Sequence, residues 1–435
     1  MQLKQVPGRV WGSTGLLVLG RLWRSACTLV TLYLLVHHLA PADFGRFTFY
    51  LAIFMLLDSL ADMGTAHATV QWTAEHPERV PGVLRVARRL RLATATLGIL
   101  IVGVGAFAIG EQGAWWILLA SCYPLTHALE LSNLVFRNRI AWSRPVLIRA
   151  VAAGLSLATT ILLITLEVRS PAAYLLGHAS GSIVGNLLQH LVARRHLPSA
   201  PGPAIDWRPF LRSALPMGVA GLCQQAYFYV DNLFIRALID DTALGHYNIA
   251  VRVMSYAIMV AVFAPLAALP WLTREHAAGR LGMAVSNLAQ PLFALAGIGT
   301  GLLWPFSERV LALFGPDFVI AAPSLRWLLL ACAAVYAGAP FLTGVVASGR
   351  SGGVLRVAAA ALAVNLVGNT FLVPRLGMQG AAIATCATEV VVALGAAWTL
   401  ARAGAAIPFG HRAWGWLVGP ALFFIGRALS QLLLP

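Results

Sequence analysis

Residues 15–39, GLLVLGRLWRSACTLVTLYLLVHHL, and the apolar segment that returns from Phe44 decide the fold. The first run is long enough to cross a bilayer as a helix, which needs about 20 apolar residues. It nevertheless carries Arg21 and Arg24, three residues apart on one helical face. A charge at that depth costs roughly 3 kcal/mol on insertion scales, so both side chains should face protein or water. The hairpin therefore predicts a transporter with a polar interior.

The returning segment carries two carboxylates, Asp58 and Asp62, also on one face. In an antiparallel hairpin they lie at a depth similar to that of Arg21 and Arg24. We predict that the two carboxylates balance charge or bind a coupling cation. An Asp62–Arg24 pair that only locks the helices together fits the pattern equally well. For the arginines we favour a ligand-facing role, because guanidinium groups bind phosphate oxygens in bidentate fashion.

The composition indicates a membrane protein. The chain is 59% hydrophobic and 11% charged, whereas an ordinary soluble domain is about 25% charged. The five cysteines lie within apolar runs and show no disulfide or metal-ligand spacing. We therefore predict an all-α polytopic membrane protein without a cofactor.

Apolar runs separated by charged or Pro/Gly-rich loops predict twelve membrane helices. Their approximate ranges are 12–38, 44–68, 90–110, 114–135, 145–167, 172–193, 212–238, 244–271, 283–304, 318–347, 353–373 and 378–401. A last apolar run, Trp414–Leu434, could be a thirteenth span or an interfacial helix.

A Pro-rich segment predicts the domain organisation. It separates an N-terminal six-helix lobe from a C-terminal one, and the expected parts are 1–193, the linker 194–211, 212–401 and the tail 402–435. The hexapeptide ADFGRF at 42–47 has a counterpart, TALGHY, 200 residues later at 242–247. A repeat at equivalent places in two halves is typical of duplicated transporters.

The distribution of positive charge predicts the orientation. Twenty basic residues fall in one set of alternate loops and four in the other, which places the N-terminus in the cytoplasm. The net charge of +15 is explained by this topology, so we expect no nucleic-acid partner. The ARRLRL stretch at 87–92 is interpreted as an interfacial segment that touches anionic lipid.

Further polar residues lie within the predicted spans. The seventh and eighth helices carry Gln224, Gln225, Asp231, Asn248, Arg252 and Tyr256. Asp231 and Arg252 are candidates for a mutual ion pair. Asn365 and Asn369 on the eleventh helix are interpreted as interhelical hydrogen-bonding residues. Glu130 and Arg149 lie near a membrane surface and receive little functional weight.

No catalytic motif accompanies these polar residues. The chain has no H-E-x-x-H, G-x-S-x-G or P-loop sequence, and its exposed loops are short. We therefore expect that the protein is not an enzyme.

Several segments together resemble the polysaccharide (O-antigen type) flippases of the multidrug/oligosaccharidyl-lipid/polysaccharide exporter superfamily. The resemblance covers almost the whole chain. Its motifs are Arg24 with 39–45 and 62–64, then 215–216, Asp231, 245–250, 313–318, Asn365, Asn369 and 374–382. It implies two six-helix lobes around a central cavity that opens alternately to each side, with polyprenyl-pyrophosphate-linked oligosaccharide as substrate.

The resemblance also implies roles for the polar residues and a location in the bacterial inner membrane. The pyrophosphate would meet Arg21, Arg24 and Arg252. The sugar would meet Gln224, Gln225, Asn248 and Tyr256, while Asp58, Asp62 and Asp231 balance charge or couple to a proton or sodium gradient. Membrane lipids and other polysaccharide-assembly proteins are the expected partners. The alternatives are a cation-coupled multidrug exporter and, from another class, a polymerase or ligase acting on lipid-linked sugars.

Overall fold

The computed structural model describes residues 6–75, 77–133, 143–197, 203–405, 420–425 and 427–428. Of these residues 89% are helical, and none of them lies in a β-strand. The chain forms two compact units, Met1–Gly218 and Val219–Pro435. The boundary falls within a helix, seven residues beyond the end of the predicted linker 194–211, of which 198–202 lie outside the described ranges.

The helices are numbered along the chain. Those that begin in the first unit are α1 (Val6–His38), α2 (Pro41–Asp62), α3 (Thr65–Glu75), α4 (Val80–Ala108), α5 (Ala114–Ala120), α6 (His127–Glu130), α7 (Ser143–Thr165), α8 (Leu175–Ala193) and α9 (Trp207–Leu238), which crosses the boundary. The second unit continues with α10 (Asp241–Ala257), α11 (Met259–Ala277), α12 (Leu281–Leu303), α13 (Ser307–Ala312), α14 (Ala322–Ala347), α15 (Ser351–Leu376) and α16 (Met378–Ala401).

Nine stretches of the described chain are long and apolar enough to cross a membrane. They correspond to nine of the twelve predicted helices, so the polytopic all-α prediction is confirmed. The predicted helices at 114–135, 172–193 and 212–238 are not among the nine. The first is divided into α5, α6 and single 3-10 turns, and its residues 134–135 lie outside the described ranges.

The predicted helix at 44–68 is broken between α2 and α3. Met63 adopts the left-handed conformation with a φ of 40°, and Gly64 follows with a φ of 76°. The Asp62 carboxylate accepts hydrogen bonds from the backbone N–H groups of Gly64 (3.2 Å) and Ala66 (3.1 Å). Asp62 therefore caps α3 in the way that aspartate commonly caps helix N-termini. This break places Asp62 at a bend.

Close packing of α1 against α7 brings their charged residues together. A Cβ atom on Gly20 would lie 2.3 Å from Val146 Cγ1, so the absence of a side chain lets the helices approach. The Trp23 indole N–H donates to the Ala150 carbonyl oxygen across the same contact (3.0 Å). The segment around Arg24 is therefore held beside the first turns of α7.

The second unit also contains a break that the sequence did not predict. The expected helix at 244–271 is divided at Ile258 into α10 and α11. The Tyr336 hydroxyl of α14 donates to the Ala257 carbonyl oxygen at this point (2.7 Å). A carbonyl group at a helix end lacks its intrahelical partner. The α14 side chain therefore stabilises the break.

Most of the predicted last span, Trp414–Leu434, lies outside the described residues. Residues 420–425 are helical and pack against α12, where the rings of Phe423 and Trp304 are 5.7 Å apart. Whether this run crosses a membrane stays a prediction.

Candidate functional site

An ion pair between a buried arginine and a partly exposed carboxylate joins α2 to α4 in the first unit. Arg91 Nη2 pairs with Asp62 Oδ1, Nε donates to Thr65 Oγ1 (2.7 Å) and Nη1 donates to the His127 carbonyl oxygen (2.8 Å). Arg91 is only 3% exposed. The expected Asp62–Arg24 pair is therefore wrong, and so is the interpretation of Arg91 as an interfacial residue. The helix begins at Val80, ten residues earlier than predicted, which places Arg91 inside it.

Glu130 links Arg91 to α7. One carboxylate oxygen pairs with Arg149 Nη2, and the other lies 3.9 Å from Arg91 Nη1. Both residues were predicted to extend towards a membrane surface. They instead connect three helices, α4, α6 and α7, because Arg149 lies in the second turn of α7 and Glu130 of α6 lies between the two arginines.

Asp58 occupies the same region but has a different partner. Its Oδ1 atom lies 3.3 Å from His127 Nδ1, an ion pair when the histidine is protonated. The Tyr123 ring packs edge-on against the His127 ring, with centroids 5.4 Å apart. Asp58 is one helical turn from Asp62, as the sequence pattern indicated, yet Asp58 contacts His127 and Asp62 contacts Arg91.

Arg21 and Arg24 extend this group of charges onto α1. Both are partly buried, and Arg24 has the positive charges of Arg149 and Arg21 as electrostatic neighbours. The Arg24 Nε atom donates to the Gly20 carbonyl oxygen of its own helix (3.4 Å). Within the described part of the chain, Arg24 makes no ion pair with a carboxylate.

We refer to these side chains as the charged network; its members are Arg21, Arg24, Asp58, Asp62, Arg91, His127, Glu130 and Arg149. Four arginines face three carboxylates, so the network carries excess positive charge before His127 is counted. An excess of one sign of charge inside an apolar unit is costly unless a counter-charge joins it. The arrangement is suited to bind an anion. Arg24 is the best candidate to contact it, because its guanidinium has no carboxylate partner among the described residues.

The second unit contains a hydrogen-bonded carboxylate. Asp231 on α9 is 3% exposed and accepts from the Tyr247 hydroxyl (2.5 Å) and the Asn232 backbone N–H (2.9 Å). The expected Asp231–Arg252 pair is wrong. Instead Asn248 donates both to Asn232 Oδ1 (2.9 Å) and to the Leu244 carbonyl oxygen (3.0 Å).

Three further polar side chains lie on α15 and α16. Asn365 and Asn369 are fully buried, and Asn369 Nδ2 donates to Asn365 Oδ1 (3.0 Å) within the same helix. The interhelical hydrogen bond predicted for these residues is not formed among the described side chains. Asn369 Oδ1 and Thr385 Oγ1 are buried without a hydrogen-bond partner among the described residues. Thr385 also neighbours the Asp231 carboxylate.

We call this second set the polar cluster: Asp231, Asn232, Tyr247, Asn248, Asn365, Asn369 and Thr385. Gly368 packs against Ala384, which brings the following residues, Asn369 and Thr385, to the same level of α15 and α16. Carboxylate, amide and hydroxyl oxygens are the ligands that hard cations prefer. Asp231, Asn369 and Thr385 could therefore hold a small cation. The described ranges contain no group of three or more His, Cys, Asp or Glu side chains suited to a metal.

The remaining predicted site residues lie along α9 and α10. Arg252 is partly buried with Tyr229 and Tyr256 as electrostatic neighbours. Gln224 is exposed and Gln225 partly buried. Arg252 and Tyr256 are thus neighbours, whereas Arg252 and Asp231 do not form an ion pair.

A family model described as polysaccharide biosynthesis protein matches residues 10–276, more than half of the chain. The chain belongs to this family. A second model, MatE, matches residues 216–371. None of the curated proteins matches the chain in sequence.

Solved structures show the same fold at low sequence identity. The lipid II flippase MurJ in an inward closed conformation is 13% identical, covers 94% of this chain and 98% of its own, and has a TM-score of 0.65. A mutant of the Vibrio cholerae MATE transporter VcmN is 15% identical, with coverages of 91% and 96% and a TM-score of 0.62. A MOP superfamily transporter from Pyrococcus furiosus is 16% identical, with coverages of 90% and 94% and a TM-score of 0.62. The fold is that of the MOP superfamily transporters and flippases.

Sequence reasoning missed Arg91, His127 and Tyr247 as members of these groups. Arg91 had a usable signal, since the buried residues Leu84 and Ala87 precede it at helical spacing on one face of α4. His127 and Tyr247 gave no such signal, because a single polar aromatic residue in an apolar run does not reveal which carboxylate it meets.

Proposed function

We propose that this member of the polysaccharide biosynthesis family is a flippase that moves a polyprenyl-pyrophosphate-linked oligosaccharide from the inner to the outer leaflet of the bacterial cytoplasmic membrane. The N-terminus lies in the cytoplasm and the cycle is one of alternating access. The observation that carries the proposal is the excess of arginine over carboxylate in the charged network. A pyrophosphate supplies the missing negative charge, whereas a cationic drug would add to the excess.

Within this proposal Arg24 makes the first contact with the pyrophosphate. Its guanidinium lacks a carboxylate partner in the described part of the chain and can offer two parallel N–H donors to phosphate oxygens. Arg21 adds charge one turn earlier on the same face. Arg91 and Arg149 are already held by Asp62 and Glu130, so their role is to position the helices and to maintain the positive field.

The second unit contributes contacts of a different kind. Within the second unit, Arg252 offers N–H donors suited to phosphate oxygens, while Gln224, Gln225 and Tyr256 offer hydrogen bonds and a ring face to sugar. Asn248 was expected to join them, but its amide nitrogen already donates two hydrogen bonds within the second unit. We therefore assign Asn248 to the polar cluster, with Asp231 as the site of coupling to a proton or sodium ion. The proposal involves no covalent step and therefore takes the protein to be a transporter and not an enzyme.

The test is the sidedness of the lipid-linked oligosaccharide in cells, measured with an impermeant probe of the outer leaflet. Cells that lack the protein should retain the glycolipid on the inner leaflet, and Arg24→Ala should restore less than about a tenth of wild-type exposure. The matched control is Arg89→Ala, which removes an exposed arginine outside the network. The proposal fails if Arg24→Ala, present at normal abundance, exposes the glycolipid as fully as wild type.

A cation-coupled multidrug exporter is the second candidate, favoured by the MatE match over residues 216–371 and by the carboxylate Asp58 beside His127. Under this alternative a deletion strain becomes sensitive to cationic drugs while its glycolipid reaches the outer leaflet normally. A membrane polymerase or ligase would instead leave the glycolipid exposed but not extended.

A further inference from the structure

A basic groove lies at one end of the first unit, apart from the charged network. It occupies about 510 Å³ between the first turns of α7 and the last turn of α8. Arg144 stands on one side and Arg194 and Arg195 on the other, with Leu147, Ile148 and Leu191 forming the apolar walls. No step of the proposed transport uses these residues.

The packing of α7 and α8 explains where the groove opens. A Cβ atom on Gly181 would lie 2.0 Å from Ser156 Oγ, and one on Gly185 would lie 3.0 Å from Ala152 Cβ. The two helices are therefore in close contact along this stretch. Beyond Gly185 the facing residues become larger, and the groove forms between the helices there.

The three arginines of the groove are available to an anion. Arg194, Arg195 and Arg144 are exposed. Arg144 Nη1 lies 3.4 Å from His196 Nε2, and among the residues that the structure describes none of the three pairs with a carboxylate. Grouped arginines without acidic partners attract phosphate groups and bind them through several N–H donors.

The walls of the groove indicate that its ligand is also apolar. Leu147 is 66% exposed and Leu191 is 44% exposed. They lie on a predicted pair of membrane helices, and the α7 span is the least enclosed of the nine, with 6% of its residues buried. Leucine side chains at this level of a membrane helix contact acyl chains. Arginine at the end of a span lies at the level of lipid headgroups.

A second basic groove at α4 offers a comparison. It occupies about 330 Å³ and is lined by Arg85, Arg88 and Arg89. Arg88 is already committed, since its Nη2 donates to Ser132 Oγ (2.7 Å). This groove is smaller and has two exposed arginines, Arg85 and Arg89, where the first groove has three, so it serves as the matched control.

From the charge, the size and the exposed leucines, we infer that the α7–α8 groove is a specific binding site for an anionic phospholipid, with the phosphate on Arg144, Arg194 and Arg195 and an acyl chain along Leu147 and Leu191. The phospholipid is a bound component of the protein and not its cargo. The inference does not depend on the proposed transport.

Native mass spectrometry of the full chain in detergent tests the site with dioleoyl phosphatidylglycerol and dioleoyl phosphatidylcholine. The wild-type protein should bind one phosphatidylglycerol at least about tenfold more tightly than phosphatidylcholine. Arg194→Gln/Arg195→Gln should abolish that preference, and Arg85→Gln/Arg89→Gln should change the Kd less than about twofold. Leu191→Trp, which fills the groove but keeps its charges, should also weaken phosphatidylglycerol binding, so the test remains decisive if the double variant does not fold.

Three outcomes would overturn the inference. If the two double variants lose phosphatidylglycerol affinity equally, the lipid is attracted by the overall surface charge and not by this groove. Competition by millimolar inorganic phosphate would indicate a site for a free anion. Displacement of phosphatidylglycerol by a lower concentration of polyprenyl phosphate would indicate a substrate site. None of these readouts measures transport, so they are separable from a failure of the proposed function.

Discussion

Asp62 in the charged network and Asp231 in the polar cluster are both carboxylates on helices, the first partly exposed and the second buried, and they are stabilised in different ways. Asp62 pairs with the guanidinium of Arg91 and caps α3. Asp231 accepts hydrogen bonds from a tyrosine hydroxyl and a backbone N–H, with no arginine in contact among the described side chains. One carboxylate is paired with a fixed cation, and the other is hydrogen-bonded only by neutral donors.

The sequence analysis predicted the same role, charge balance or cation coupling, for Asp62 and Asp231. Their different partners indicate that the two roles belong to different residues. A carboxylate held by a fixed cation has little need for a mobile one. Buried negative charge that has only neutral donors gains from a proton or a metal cation. We therefore expect Asp62 to maintain the network that faces an anion, and Asp231 to take part in coupling.

The largest expected effect comes from removing the fixed cation. Arg91→Ala should lower the free energy of unfolding by about 3 kcal/mol, because it removes a buried guanidinium that pairs with Asp62 and donates to Thr65 Oγ1 and to the His127 carbonyl oxygen. Thermal unfolding of the purified protein in detergent measures the change. Arg89→Ala, two residues away and exposed, is the control and should stay within about 0.5 kcal/mol of wild type. Equal losses in both variants would contradict the comparison.

A smaller effect is expected from the hydrogen-bonded carboxylate. Tyr247→Phe removes the hydroxyl that donates to Asp231 and should cost about 1–2 kcal/mol in the same unfolding assay. Tyr256→Phe is the matched control, since the Tyr256 hydroxyl is buried with no hydrogen-bond partner in the described part of the structure. Its loss should leave the stability unchanged or slightly higher. A larger cost at Tyr256 than at Tyr247 would show that the polar cluster is not held as described.

The smallest effect is expected at Arg24. Its electrostatic neighbours are other arginines, so Arg24→Gln should change the free energy of unfolding by less than about 0.5 kcal/mol. Arg149→Gln deprives Glu130 of its closest partner and should cost about 1 kcal/mol. A smaller loss of unfolding free energy for Arg24→Gln than for Arg149→Gln would show that Arg24 contributes little to the folded structure and is available to bind a ligand. If Arg24→Gln costs more than Arg149→Gln, Arg24 has a structural role instead.

The sequence predicted the helical architecture and nine of the spans well, because apolar runs of membrane length leave few other folds. It also predicted that Asp58 and Asp62 share a helix face and that Arg24 is not at a surface. Helical periodicity gives the face on which a residue lies but not the direction in which that face points. The partners of Asp62 and Asp231 were therefore predicted wrongly.

Two local features account for the remaining errors. The cluster of arginines at 88–91 resembled a loop end, although α4 had already begun at Val80. The break after Asp62 contains no proline, and the sequence Asp-Met-Gly-Thr was not recognised as a helix end followed by a cap. Both features depend on contacts with other helices, which a single sequence does not contain.

Gly64 and Gly218 meet backbone to backbone inside the first unit. A Cβ atom on Gly218 would lie 2.3 Å from the Met63 carbonyl carbon, and one on Gly64 would lie 2.3 Å from the Ala214 carbonyl oxygen. Neither position can gain even a methyl group while the other helix stays where it is. Related sequences should therefore keep both glycines or replace both. The bend beside Asp62 thus depends on two positions that are far apart in the chain.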